Sequence, residues 1–370
     1  MLGRIVETFE PDEVALWCRP YLAEMARTRN PAARVNTPLE GEWVLLNGRW
    51  FRGDRDAIER EGQWFIEADG AVAVAKLTMS GESPGQHGEP PGEVLGSLPQ
   101  VSGDVHLFRY LWELVEVCAD EVSASVSRLE LGGKLDGHVE PGAVLLDEDS
   151  ICLAPGSRVG AGAVLDARGG PIWVSRDASI GPLAVIEGPC YLGSQSVVNA
   201  TARVRGGCAF GSGVRIGGEI ENAIILEFTN KQHDGFLGHS YLGSWINLGA
   251  GTTNSDLKNN YHPVRVRFGD DEVSTGRLKV GLFMGDHSTT GIGTLFTTGA
   301  SVGVGCNLLG GGLMPKYVRS FAWGHPREMT DYRLPDLVET ARTMMGRRGA
   351  ALSTAYGEVL QELHRRTTRC

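Results

Sequence analysis

Residues 174–216 read VSRDASIGPLAVIEGPCYLGSQSVVNATARVRGGCAFGSGVRI, and every sixth position is apolar: Val174, Ile180, Ile186, Leu192, Val198, Val204, Phe210 and Ile216. Glycine follows directly at 181, 193, 211 and 217. A helix of period 3.6 cannot hold every sixth residue on one face, and a lone strand alternates every second residue. A period of six fits a parallel β-helix, in which short strands form flat faces joined by tight turns. The apolar residue then fills the coil. The glycine after it is expected to supply the turn backbone, including positive φ, at no steric cost.

The same register runs upstream through Leu153, Val159-Gly160 and Leu165, with a three-residue insertion near Gly169. Downstream it returns at Leu237-Gly238, slips by one to Leu242-Gly243, and continues at Leu248-Gly249. After an interruption it resumes as Met284-Gly285, Thr290-Gly291, Phe296, Val302-Gly303 and Leu308. The interruption, residues 253–278, has a polar first half that predicts a protruding loop. PVRVRF then alternates like a strand and GDDEVSTG predicts a turn. Long loops ejected from a solenoid are often functional, because they reach over a neighbour.

Stacked coils leave two open ends that need caps. Pro326 and Pro335 break the repeat, and Leu337, Ala341, Met344 and Met345 then fall at helical spacing. Leu352, Tyr356, Val359, Leu360 and Leu363 continue an apolar face, so one or two helices are expected to cover the coil or a neighbouring subunit. Before residue 136 the chain differs in kind. PDEVALWCRPYLAEMA predicts a helix, EWVLLNGRWF a strand, turn and strand, and GQWFIEADGAVAVAKL a hairpin turning at Asp69-Gly70. Residues 80–100 predict a flexible loop, and VHLFRYLWELVEVCADEVSASVSRL a helix leading into the coil. Three regions result: a small α/β domain over 1–135, a β-helix over 136–325 with the ejected loop 253–278, and a helical cap over 326–370.

Composition narrows the function. The formal net charge of −10 argues against a general nucleic-acid binder or a membrane-surface protein, while local positive charge still admits small anionic substrates. No stretch reaches transmembrane length, and MLGRIVETFEPDEV has no apolar signal core. Seven scattered cysteines without a C-x-x-C pair point to reduced thiols in a cytoplasmic protein and to no zinc site. The pairs His233-Asp234 and Asp286-His287 match no compact metal spacing. No P-loop or dinucleotide fingerprint occurs, and the glycines of LGAGT belong to the six-residue register.

The strings GGEIENAIILEFTNKQHDGFLGHSYLGSWINLGAGTTNSDLKNNY and MGDHSTTGIGTLFTTGASVGVG resemble the acyltransferase half of the GlmU family. That family joins N-acetylglucosamine-1-phosphate uridyltransferase and glucosamine-1-phosphate N-acetyltransferase activities. A GlmU-like branch of sugar nucleotidyltransferases is more similar still, since CRPYLAEMARTRNPAARVN…VLLNGRWF is similar to its N-terminal domain. The fold class expected is therefore mainly β: a left-handed parallel β-helix of hexapeptide repeats with a smaller N-terminal α/β domain and C-terminal helices. The resemblance implies a homotrimer with acetyl-CoA bound between adjacent coils. It implies that His233 is the general base that deprotonates the sugar amine, and that Asn247 is the asparagine contacting the sugar. Phe236 stands where the family usually has a tyrosine, and Glu221 and Asn222 lie near the position of its phosphate-binding lysine. No G-x-G-T-x-M loop occurs, as in a short or truncated N-terminal domain, so nucleotidyl transfer with Mg2+ is expected only of a chain with a fuller N-terminal domain.

Acyl transfer from a thioester needs a base near neutral pKa and a donor for the tetrahedral oxyanion. His233 suits the first, and backbone N–H groups near Gly249–Gly251 or Gly285 suit the second. Lys231, Phe236, Asn247, Lys258, Asn260 and Tyr261 are the candidate substrate contacts. Gly285, Asp286, His287, Lys316 and Arg319 are the candidate coenzyme A contacts, and Arg265, Arg267, Arg277 and Lys279 add local positive charge. His239 follows a repeat glycine and reads as a turn residue. The leading expectation is a hexapeptide-repeat N-acetyltransferase acting on an amino-sugar phosphate or nucleotide sugar. The alternatives are a sugar-1-phosphate nucleotidyltransferase and a non-catalytic trimeric scaffold.

Overall fold

The structure is a computed structural model that describes residues 11–53, 60–86 and 88–367. The N-terminal stretch 1–10, His87 of the 80–100 loop and residues 368–370 of the cap lie outside the described residues. Contacts divide the chain into two units. One holds the described residues up to Tyr110 together with Ser353–Leu363, and the other holds Leu111–Leu352 with the residues after Leu363.

In the first unit Leu39–Leu46, Ala71–Glu82 and Trp64–Ala68 form an antiparallel sheet with the longest strand in the middle. Its hairpin turns at Asp69 and Gly70, both at positive φ, as a tight two-residue turn requires. Ala75, Leu77 and Met79 are buried at alternate positions, the period of a strand with one face on a core, and Ala73 and Val74 before them are both buried. The helix expected over PDEVALWCRPYLAEMA is much shorter. Residues 15–16 pair with 34–35 as strands, and the α-helix runs only over Ala23–Arg29, after a single 3-10 turn beginning at Pro20. Proline fixes φ and lacks an N–H, so the chain enters the helix there rather than running through it.

In the second unit the expected parallel β-helix is present as three columns of short parallel strands. The first face contains Arg158–Val159, Ser179–Ile180, Val197–Val198 and Arg215–Ile216. The second contains Val164–Asp166, Val185–Glu187 and Arg203–Val204, and the third Ile172–Val174, Cys190–Leu192 and Cys208–Phe210. Val197 pairs with Arg215, a step of 18 residues and so three hexapeptides per coil. Ile151 pairs with Ile172, a step of 21 that places the insertion near Gly169 at one corner. Val159, Ile180, Ile186, Leu192 and Phe210 are buried in the coil, each worth about 1.5–3 kcal/mol in transfer terms.

The repeat glycines have a different reason from the one expected. Positive φ falls instead on turn residues such as Leu183, Gln195 and Thr201, and Gly181, Gly193 and Gly249 lie outside the left-handed region. A Cβ on Gly193 would stand 2.5 Å from the carbonyl carbon of Gly211 on the next coil, and one on Gly181 2.5 Å from the amide nitrogen of Ala200. Close approach of backbone to backbone is what excludes a side chain.

From Arg215 the coil shortens. Arg215 pairs with Asn230, a step of 15. The corner between the second and third faces contracts, and one strand, Glu219–Ile225, pairs with strands of both. The next strand, Phe236–Leu242, does the same, which is the physical content of the one-residue slip at Leu242. Each bends through one residue in the left-handed region, Asn222 at φ 44° and His239 at φ 46°.

On the following coil, Thr253–Asn254 lies on the second face and Leu282–Met284 on the third. Residues 255–281 are therefore inserted at that same corner. Their second half holds the strand expected over PVRVRF: Arg265–Phe268 pairs with Asp271–Ser274 in an antiparallel hairpin, with Val264 and Val266 fully buried. GDDEVSTG turns only at its start and then forms the return strand. The coil also runs past residue 325, ending in the Ala322–His325 and Glu328–Asp331 hairpin. The helix Leu334–Gly346 follows with Leu337, Ala341 and Met345 buried, and the helix Thr354–Thr367 after it. The strand Val105–Leu107 precedes the helix Leu111–Arg128, whose Trp112 ring lies 6.2 Å from Phe268 and 6.1 Å from Phe283. No helix of the described residues is long and apolar enough to cross a membrane.

Gly193→Ala is expected to lower stability by about 1–3 kcal/mol, since the added methyl meets backbone. Gly357→Ala, in a helix with open space around it, should raise stability by about 0.5–1 kcal/mol. Urea unfolding read by far-UV circular dichroism checks both through opposite shifts of the midpoint.

Candidate functional site

The three corners of the coil carry different chemistry. The corner between the first and second faces carries His233, two residues after Asn230–Lys231. Its ring is exposed, and its Nε2 lies 3.3 Å from the side-chain amide of Gln232. The Lys231 side chain turns inward and is 2% exposed. Its Nζ donates to the Gly217 carbonyl at 3.1 Å and to the His233 carbonyl. Burial pushes this ammonium down to about 8 from 10.5, against the opposing charge of Asp234. Lys231 therefore fixes the corner that displays His233, and its donors are engaged inside the protein.

Asn247 lies on the neighbouring first-face strand, where its Oδ1 accepts from Asn230 Nδ2 at 3.3 Å. Arg348 in turn donates to Asn230 Oδ1 at 2.7 Å. The burial of Arg348 and the charges of Arg215 and Arg347 lower its pKa. This polar ladder was not foreseen, because Arg348 is 118 residues from Asn230 in the chain. Phe236 is half-buried, with its ring over Gly238, where a Cβ would stand 2.4 Å from Cζ. The amides of Gly249, Gly251 and Gly285 all donate to coil carbonyls, at 3.0, 3.0 and 2.9 Å, so the expected oxyanion donors are committed to stacking.

The corner between the second and third faces holds His239, which is not in a turn but in mid-strand. Its Nδ1 lies 2.7 Å from Asp256 Oδ2, with only 19% and 14% of the two side chains exposed. Burial raises the Asp256 pKa, but the His239 hydrogen bond and charge, with Lys279, outweigh it and hold the carboxyl below its ordinary range. The sequence signal was the slip between Leu237-Gly238 and Leu242-Gly243, which brackets this residue.

The third corner is an aromatic stack. Phe228 and Trp245 lie 4.3 Å apart at 12°, and His287 continues the stack 6.3 Å from Trp245 at 5°. All three residues have positive φ near 60°. His287 is 3% exposed, and burial pushes its ring down to about 4 from 6.5, so it is neutral and architectural at pH 7. Asp286 Oδ1 accepts the Ser244 amide at 3.0 Å, and Gly285 packs against the Val304 coil. These three expected coenzyme A contacts are parts of the coil's own framework.

The remaining expected contacts surround the insertion. Lys258 Nζ donates to the Pro263 carbonyl at 2.9 Å, Asn260 Oδ1 accepts from the His262 amide at 3.2 Å, and Tyr261 is 68% exposed. Lys316 lies 3.8 Å from Glu272, which also binds Arg265 at 2.9 Å. Burial lowers the Lys316 pKa, Glu272 opposes this, and Lys258 and Arg265 repel its charge further. Arg265 and Lys316 thus share the Glu272 carboxylate, with Lys258 near enough for its charge to act on Lys316. Arg319 stands apart, paired with Asp331. Among the described residues no group of three His, Cys, Asp or Glu side chains is arranged for a metal ion.

No family model matches the chain. It is 32% identical over 185 residues to the bifunctional protein GlmU of Acidithiobacillus ferrooxidans, covering 47% of this chain and 38% of that protein. About half of the chain is thus similar in sequence to GlmU. GlmU of Nitrosospira multiformis is 24% identical over 312 residues, covering 80% of this chain and 63% of that protein. The chain thus spans between about two fifths and two thirds of the length of these curated relatives. Among solved structures, the UDP-N-acetylglucosamine acyltransferase of Campylobacter jejuni aligns with a TM-score of 0.34 at 16% identity, covering 62% of this chain and 82% of that one.

His287 makes the GlmU-like coil acid-sensitive in a defined window. The unfolded chain binds a proton there below about 6.5 and the folded chain only below about 4. Stability is therefore fully present above the upper value and falls as pH drops towards the lower one, by up to about 3 kcal/mol. His287→Phe keeps an aromatic ring in the stack and removes the proton site. Urea midpoints between pH 7 and 4.5 should fall less steeply in the variant than in the wild type.

Proposed function

We propose that the chain is a hexapeptide-repeat acyltransferase that moves an acetyl group from acetyl-CoA to the amine of an amino-sugar phosphate or nucleotide sugar. The observation that carries this reading is the coincidence of two things. The GlmU-like coil departs from its 18-residue step between Arg215 and Asn247, and His233 is displayed there on a corner anchored by the buried Lys231. In the step itself, the neutral amine nitrogen attacks the thioester carbonyl and His233 takes one of its protons as the C–N bond forms. The C–S bond then breaks, and the coenzyme leaves as a thiolate that takes the proton back from His233. Lys258, Arg265 and Lys316 suit the phosphates of a nucleotide donor.

Self-association completes the reading. Ile292 and Leu309, on the same corner as His233, and Leu295 and Leu313 beside them are 77%, 40%, 43% and 61% exposed. A strip of this kind favours burial against another copy, and a trimer packed along this corner brings His233 into the interface. The free thiols of Cys18, Cys118, Cys152, Cys190, Cys208 and Cys306 fit a reducing cytoplasm.

Thiol release from acetyl-CoA across a panel of amino-sugar phosphates and nucleotide sugars tests the proposal. At least one acceptor should be turned over, and His233→Ala should lower kcat by on the order of 10²–10⁴. A solution mass near three times that of one chain should accompany activity. Thiol release with none of the acceptors, or unchanged turnover in His233→Ala, overturns the reading.

A further inference from the structure

Arg203, Arg265, Arg277 and Arg319 each lie against a carboxylate, as a chain with 45 acidic side chains to 35 lysines and arginines readily allows. Three arginines of the same unit are not so placed. Arg215 on the first face, and Arg347 and Arg348 directly after the helix Leu334–Gly346, form no ion pair among the described residues. They are nevertheless brought together. Arg215 is the strand partner of Asn230, and Arg348 Nη2 donates to Asn230 Oδ1 at 2.7 Å. Behind the effect of its burial, the charges of Arg215 and Arg347 both act on Arg348. A helix C-terminus favours cations, which accounts for Arg347 just beyond the last turn. It does not account for Arg215, which stands on the coil, or for Arg348, half-buried beside a second cation.

The hydrogen bonds fix what this face offers. A guanidinium only donates, so Asn230 accepts through Oδ1 and donates through Nδ2. That donor meets Asn247 Oδ1 at 3.3 Å, which sets the second amide in the same sense. The amide oxygens are thus engaged within the ladder, and what remains to be satisfied is donors, on Asn247 Nδ2 and on the three guanidiniums. Crowded cations without a counter-charge, among donors set in one sense, are the complement of a compact anion. The planar fork of an arginine matches two oxygens of a phosphate at once. Arg215 and Arg347 are exposed, so an anion reaches them from solvent.

We propose that the first face of the coil binds a phosphate group between Arg215 and the Arg347–Arg348 turn. Arg348, held by Asn230, is the fixed part of the site, and Arg215 and Arg347 approach the anion from the coil and from the helix end. The bound group ties the turn after the cap helix to the coil and removes the repulsion between them. The site uses neither histidine corner and none of Lys258, Arg265 and Lys316, and it does not depend on the acyl-transfer reading.

Isothermal titration of the full chain at low salt, without any acyl donor, tests this. Inorganic phosphate, glucose 1-phosphate and UDP are the probes, and sodium chloride at matched ionic strength is the blank. At least one probe should bind, and the tightest tells whether the group arrives free, on a sugar or as a nucleoside diphosphate. Arg215→Gln and Arg348→Gln should each weaken it by about tenfold. The glutamine in the second variant can still donate to Asn230, so the ladder is kept. Arg158→Gln removes an equal charge from the same face three coils away, and should change binding by less than about twofold. Without ligand, Arg215→Gln should raise the urea midpoint. Saturating ligand should raise the midpoint of the wild type more than that of either variant. Failure of all three probes to bind, binding unchanged in folded Arg215→Gln and Arg348→Gln, or equal weakening in Arg158→Gln overturns the proposal. Absence of thiol release does not bear on it.

Discussion

The backbone of one coil lies against the backbone of the next, and most of this structure follows from that contact. At Gly181, Gly193 and Gly249 the neighbouring main chain stands within about 2.6 Å of where a Cβ would be. The glycine hydrogens are the spacing between coils. In that geometry each strand pairs with the strand one turn on, each apolar residue lies over its counterpart, and the amides of the corners reach the carbonyls of the adjacent level. A parallel sheet buried along its inner face needs this regularity, because a main-chain polar group left unpaired inside the coil would cost more than any one apolar contact returns.

Departures from the regular coil are therefore costly and local, and they are where the chemistry gathers. Arg215 to Asn230 is a step of 15 and Asn230 to Asn247 a step of 17, against 18 from Val197 to Arg215 and again from Thr289 to Asn307 beyond the insertion. The missing residues come out of corners, so strands that should turn must bend, and Asn222 and His239 absorb the bend. The next coil places a 27-residue insertion, 255–281, at the same corner. One corner is thus stripped of its turn and given a helix and a hairpin. A second keeps its turn and displays His233. The third stacks aromatic rings from one coil to the next.

This division explains which expectations about the site survived contact with the fold. His287 and Lys231 are polar residues in a repeat, and in the sequence they look like ligands or bases. Both are buried, His287 in a ring stack and Lys231 with its ammonium on two carbonyls. His239 looked like a turn residue because it follows a repeat glycine, yet it holds the best-defined histidine–carboxylate contact in the coil. Residue type and spacing could not rank these histidines. Their ranking depends on which way a corner points, and that direction is set by residues up to 42 positions away on the adjoining coils.

The six-residue beat from Val174 to Ile216 by itself determined the coil, its inward face and the insertion near Gly169, while the pairing of the strands decided that three such units make one turn. The beat is a local periodicity that every coil repeats. The sequence also marked where the regularity fails, through the slip at Leu242 and the interruption after Thr252. What replaced the repeat was decided only in three dimensions. Asp256 meets His239, Arg348 meets Asn230, and the strand legible in PVRVRF finds its partner in Asp271–Ser274 and buries Val264 and Val266. These are contacts between residues far apart in the chain, and they exist only once the stacked coils have brought their levels side by side.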